Sequence, residues 1–89
     1  MTRIRFKDER GPELEAEEAR RQTADLRAQP GFRSFHVIRI DPREVVLVRI
    51  YDSQDELAAG LSHGFRPGLG ELFADRPERL EGELLASVT

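Results

Sequence analysis

The stretch QPGFRSFHVIRIDPREVVLVRIYDS, Gln29 to Ser53, decides the fold. Two runs of β-branched and aromatic residues, Phe32 to Ile40 and Val45 to Tyr51, flank the turn-forming Asp41-Pro42-Arg43-Glu44, the pattern of a β-hairpin. With Ile40 opposite Val45, the pairing continues as Ile38 with Leu47, His36 with Arg49 and Ser34 with Tyr51. The other face pairs Val37 with Val48 and Phe35 with Ile50. One face is then almost wholly apolar, and the other is apolar near the turn and polar near the open end. A sheet with two apolar faces must be covered twice. The chain's own helices supply one cover, and a second subunit is expected to supply the other.

Upstream of the hairpin, Thr2 to Lys7 alternates Ile4 and Phe6 against Arg3, Arg5 and Lys7, as a half-buried strand does. Asp8 to Gly11 reads as a turn, and Pro12 suits the first turn of a helix that the pattern carries to about Ala28. Acids (Glu13, Glu15, Glu17, Glu18) crowd its start and bases (Arg20, Arg21, Arg27) its later part, as the macrodipole favours. The acids read as a solvated face. Ala16, Ala19, Thr23 and Leu26 make a small-residue inner face, which means either close packing on the sheet, the commoner cause in dense interiors, or room for a bound molecule. Pro30-Gly31 ends that helix.

Downstream, Ser53-Gln54-Asp55-Glu56 forms a capping box in which side chains satisfy backbone N–H groups at a second helix start. Leu57, Leu61 and Phe65 give this helix its buried stripe, and Gly64 to Gly70 bends the chain. Leu69, Leu72 and Phe73 gather in a last short turn, and a closing strand runs from about Arg79 to Val88 with Leu80, Gly82, Leu84, Ala86 and Val88 on one face. The order is β-α-β-β-α-β. With right-handed crossovers this is an α+β, ferredoxin-like arrangement, one antiparallel sheet with both helices on one side.

Length and composition bound the rest. Eighty-nine residues make a single domain, 1–89, small enough that a core shared with a partner would help. Acids and bases nearly balance at a formal net charge of −3, so no basic field exists to hold nucleic acid. The absence of cysteine removes disulfides and thiolate chemistry and is compatible with a reducing cytosol. No signal-peptide pattern opens the chain and no run of about 18 apolar residues occurs, so the expected protein is soluble, cytoplasmic and not bound to membrane.

Three pieces of the sequence resemble a known family: Leu26-Arg27-Ala28-Gln29-Pro30-Gly31-Phe32, Tyr51-Asp52-Ser53-Gln54-Asp55-Glu56-Leu57, and Glu81-Gly82-Glu83-Leu84-Leu85. They are similar to the antibiotic biosynthesis monooxygenase-like (ABM) proteins of the dimeric α+β barrel superfamily, over about Ala19 to Val88. The resemblance implies two sheets packed face to face across a homodimer. It also implies either cofactor-independent oxygenation of polycyclic phenols to quinones or haem degradation. Similar enzymes use an asparagine and a tryptophan in the cavity and a histidine near the second helix as haem ligand. This chain has no Asn and no Trp. With Tyr51 aligned to the aromatic that commonly ends the third strand, Gly60 falls where many relatives carry His or Trp. Gly70 falls near the haem-ligand position, with His63 nearby if the register slips by one residue.

The hairpin register gathers Ser34, His36, Arg49 and Tyr51 on one face. His36 is the candidate base toward a phenol, Arg49 the group that stabilises a phenolate or peroxide anion, and Tyr51 the residue that orients the ring. The alternative is a self-satisfied polar patch at the open end of the sheet or the dimer seam, since buried polar groups need only partners. A ligand there would rest on Ser34, Ile38, Leu57, Leu61, His63 and Phe65. His63 equally suits a helix C-terminus, where the dipole favours it. No metal is expected, because two distant histidines lack an acid at ligand spacing, and no cofactor motif is present. The expectation is a homodimer that binds an aromatic or polyketide-like molecule and acts as a cofactor-independent monooxygenase. Its rival is a non-catalytic ligand-binding or assembly module of the same fold.

Overall fold

The computed structural model describes residues 1–61 and 70–88. In chain order these form β1 (Thr2–Arg5), α1 (Gly11–Arg21), α2 (Thr23–Arg27), β2 (Phe32–Asp41), β3 (Glu44–Tyr51), α3 (Gln54–Leu61), a 3₁₀ turn (Gly70–Leu72) and β4 (Glu78–Arg79). The sheet is antiparallel with strand order β2-β3-β1-β4, the ferredoxin-like order that the sequence pattern implies. All three helices lie on the face that carries Val45, Leu47, Arg49 and Tyr51. Among the described residues no helix is long and apolar enough to cross a membrane.

The core forms where β1 crosses β3. Ile4, Phe6, Val45 and Leu47 are buried, with Phe35, Val37, Leu72 and Phe73 packed around them. Phe6 meets Phe73 edge to face at 5.6 Å between ring centroids. Gly11 and Pro12 open α1 directly over Phe6, and a Cβ at Gly11 would strike the Phe6 ring. Proline suits this first turn, as expected. The acidic start of α1 departs from a wholly solvated face, because Glu15 is only 3 % exposed. The expected single helix is also interrupted. Gln22 (φ −92°, ψ 6°) separates α1 from α2. There the Thr23 hydroxyl donates to the Arg20 carbonyl at 2.8 Å, a local bond that competes with the helical ladder. Leu26 of α2 is thereby buried against the sheet.

The hairpin differs from the expected register by one residue, for an identifiable reason. Asp41 pairs with Glu44 across Pro42-Arg43, which continues the expected register, but Arg39 then pairs with Val45 and leaves Ile40 as a bulge. Everything beyond shifts: Ile38 faces Val46, Val37 faces Leu47, His36 faces Val48 and Phe35 faces Arg49. A second irregularity between Phe32 and Ser34 lets Phe32 face Tyr51, ring to ring at 5.6 Å. Because side chains alternate, a slip of one residue exchanges the faces. The shift turns Phe35 and Val37 toward the helices and Ile38 (47 % exposed) away from them, while the bulged Ile40 is half exposed.

That far face is apolar along Ile38, Val46, Val48 and Ile50, and charged at one end. Arg3 Nη2 and Arg5 Nε donate to the two oxygens of Glu44 at 2.9 Å each, and Arg5 also reaches Asp75 at 3.2 Å. The hydrogen bonds from Arg5 and Arg3 hold the Glu44 carboxyl below its ordinary value of 4.5. A carboxyl depressed by folding stabilises the fold above its unfolded pKa, and that contribution is lost as pH falls through the folded value. Acidification below about 4.5 is therefore expected to lower the melting temperature of the natural chain more steeply than that of Glu44→Gln. Parallel slopes in melts across that range would contradict the network.

The closing strand is shorter than the pattern implies. β4 pairs Glu78 with Arg3 and Arg79 with Thr2. Leu80 and Met1 then exchange N–H and C=O bonds at 2.8 Å, and pairing stops. Residues 81–88 lie on no sheet, and Leu85 (86 % exposed) and Val88 (96 %) stand in solvent.

Candidate functional site

The shift in register divides the expected polar cluster between the two faces. Arg49 and Tyr51 look toward the helices. Ser34 and His36 stand on the far face with Ile38, and His36 is exposed opposite Val48. One protomer therefore does not bring His36 beside Arg49. In the observed register Phe35 and Val37 pack against the core cluster on the helix side.

On the helix side, α2 and the start of β2 leave two clefts that share Leu26 as a wall. Arg49 opens on one of them, about 430 Å³ in volume, together with Gln22, Asp25, Gln29 and Gly60. Its guanidinium carbon lies 4.7 Å from the centroid of the Phe35 ring, a cation–π contact that fixes the charge at half-buried depth. Tyr51 donates its hydroxyl to Gln29 Oε1, tying β3 to the end of α2. Gly60 of α3 allows this. A Cβ there would collide with the Tyr51 hydroxyl and lie 2.7 Å from Tyr51 Cζ and 2.8 Å from Gln29 Oε1. A bulky residue at this position is incompatible with Tyr51 and Gln29 as they stand.

Gly31 follows Pro30, which lines that cleft, and turns the chain into β2. Its φ of +73° is left-handed backbone suited to glycine, and its carbonyl accepts from Asp52 N–H at 2.8 Å. The capping box forms in part. Glu56 N–H donates to Ser53 Oγ at 3.2 Å, while the Glu56 carboxylate accepts from the Ser53 hydroxyl instead of its backbone.

Leu57 and Leu61 meet Arg49 and Leu47 around a gap of about 10 Å³, so the expected α3 stripe does adjoin Arg49. His63 and Phe65 lie outside the described residues. Among the described residues no group of three or more His, Cys, Asp or Glu is arranged to hold a metal ion. Sequence reasoning missed Gln29 and the clearance role of Gly60, which as a glycine in a helix signals only local weakness.

The second cleft, about 420 Å³, lies between α1–α2 and β2. The small residues Ala16, Ala19 and Thr23 line it with Leu26, so the inner face of the helix leaves room instead of packing closely.

Residues 1–64 match the family described as antibiotic biosynthesis monooxygenase. The chain belongs to that family. The match includes β1 and α1, which precede the sequence resemblance at about Ala19, and ends before the Glu81 to Leu85 segment. The fold also superposes, with a TM-score of 0.74, on a solved structure described as "Putative antibiotic biosynthesis monooxygenase from Nitrosomonas europaea". Identity is 20%, with 98% of this chain and 89% of that chain covered, so the likeness shows a shared ABM fold. The sequence matches none of the curated proteins.

Proposed function

We propose that this ABM protein is a homodimer that holds an aromatic or polyketide-like phenol in the Arg49 cleft and oxygenates it without a cofactor. Arg49 carries the reading. It is a half-buried guanidinium, seated on Phe35, that opens on a cleft large enough for a fused-ring molecule. Beside it a phenol ionises more readily, and the electron-rich ring can give an electron to oxygen. For an anthrone, the ring methylene becomes a carbonyl. One atom of O₂ remains in that carbonyl, and the other leaves as water with the two methylene hydrogens. Arg49 stabilises the phenolate and the peroxide anion, and the Tyr51–Gln29 pair fixes the wall against which the rings lie.

Dimerisation is supported by the far face of the sheet, where half-exposed Ile38 lies beside Val46 and Val48, and by the apolar arm carrying Leu84, Leu85 and Val88. A twofold pairing would give each sheet the cover its sequence pattern asks for. The cysteine-free chain suits the reducing cytosol, the compartment proposed for it.

Oxidation of anthrone, followed by quinone absorbance and oxygen uptake, tests the reading. Turnover is expected with the natural chain, and Arg49→Gln is expected to lower kcat about a hundredfold, the scale of removing one donor to a developing anion. His36→Ala, on the opposite face, is expected to leave the rate unchanged. Absence of turnover by the natural chain would overturn the oxygenase reading and favour a non-catalytic binding or assembly module. The lack of Asn and Trp and the glycine at position 60 speak for that second reading. A phenol would then raise the melting temperature without being consumed.

A further inference from the structure

The cleft between α1–α2 and β2 differs in charge from the other described clefts, which mix acids and bases. Arg20, Arg27 and Arg33 line it and, among the described residues, no acidic one does, in a chain whose net charge is −3. Arg33 is ion-paired with Asp52. Arg20 and Arg27 have no ion pair or side-chain hydrogen bond among the described residues, although acids are plentiful on α1, and Arg21 beside them is paired with Glu18. The floor between these cations is aromatic and aliphatic, made by Phe32, Phe35 and Leu26. Flat apolar walls below two uncommitted guanidiniums match an amphiphile with a planar hydrocarbon body and an anionic head, since guanidinium binds a carboxylate in bidentate geometry.

We propose that this second cleft is a recognition site for an aromatic carboxylate, held by Arg20 and Arg27 with its rings on Phe32 and Phe35. The site goes beyond the oxygenation assigned to the Arg49 cleft and is read by binding alone, so it stands or falls separately. Ligands of this class would bind as anions at neutral pH, and their affinity would fall with added salt because the guanidiniums are solvent-facing.

The test compares 2-naphthoate with 2-naphthamide, a neutral ligand of nearly the same shape, by fluorescence titration and amide chemical-shift mapping on the full chain. Naphthoate is expected to bind about tenfold more tightly at low salt, the scale of a partly exposed charge-assisted contact. Its shifts are expected to centre on Leu26, Phe32 and Phe35. The double variant Arg20→Gln/Arg27→Gln is expected to erase the preference while still binding naphthamide, and Arg20→Lys/Arg27→Lys to retain part of it. Equal affinity for the two ligands, failure of naphthoate to bind, or a preference that survives in the glutamine variant would overturn the proposal. A preference lost in Arg49→Gln but kept in the glutamine double variant would also overturn it, by placing the acid in the Arg49 cleft, and would leave the proposed oxygenation untouched.

Discussion

Phe6→Ala is expected to cost about 3–5 kcal/mol of folding stability, the range for removing a large buried aromatic. Phe6 is 1 % exposed, stacks edge-on with Phe73 and carries Gly11 on its ring, so it joins β1, α1 and the turn before β4 at one point. Its backbone is pinned too. Phe6 N–H donates to the Arg43 carbonyl at 2.7 Å, and Lys7 N–H to that of Leu72 at 2.7 Å, so the surroundings can collapse only in part into the space vacated. A domain of this size is stabilised by about 5–15 kcal/mol in total, and each kcal/mol moves the melting temperature by about 4–8 °C. Urea unfolding of the two chains measures the difference. A loss below about 1 kcal/mol would mean that Phe6 does not hold these elements together.

The second large effect is expected at Val48, midway along β3 on the far face opposite His36. If a second copy covers that face, Val48→Asp buries an unpaired carboxylate at the seam. Such a charge costs several kcal/mol, so the dimer dissociation constant is expected to rise about a thousandfold or more. Within one chain Val48 is not part of the buried core, so the circular dichroism spectrum is expected to survive. The variant is expected to sediment as a folded monomer at concentrations where the natural chain is a dimer. Unaltered sedimentation would show that the face is not the seam.

Much of this architecture was legible in the residues because several local signals agree. Pro12 opens α1, Gly31 ends the helical segment in left-handed backbone, Ser53 caps α3, and the β-branched runs on either side of Pro42-Arg43 can only be strands. The register was not legible, for a reason visible in β2 itself. Phe35 and Val37 on one parity and Ile38 and Ile40 on the other are both apolar pairs, so either set satisfies a buried face. The bulge at Ile40 chooses between them, setting Phe35 and Val37 against the cluster of Ile4, Phe6, Val45 and Leu47. That single choice separates His36 from Arg49. Gly60 carried no sequence signal for its role, since clearance for Tyr51 exists only once α3 is docked. Arg20 and Arg27 were read as complements to a helix dipole; their seven-residue spacing puts them on one side of the helical segment, and the cleft they line appears only once that segment is docked on β2.

The proposed assembly depends on the sheet's far face, and sedimentation velocity on the natural chain across micromolar concentrations tests it most directly. A species of twice the 10.2 kDa of one chain, persisting on dilution through that range, is the predicted result. A monomer at every concentration would contradict it.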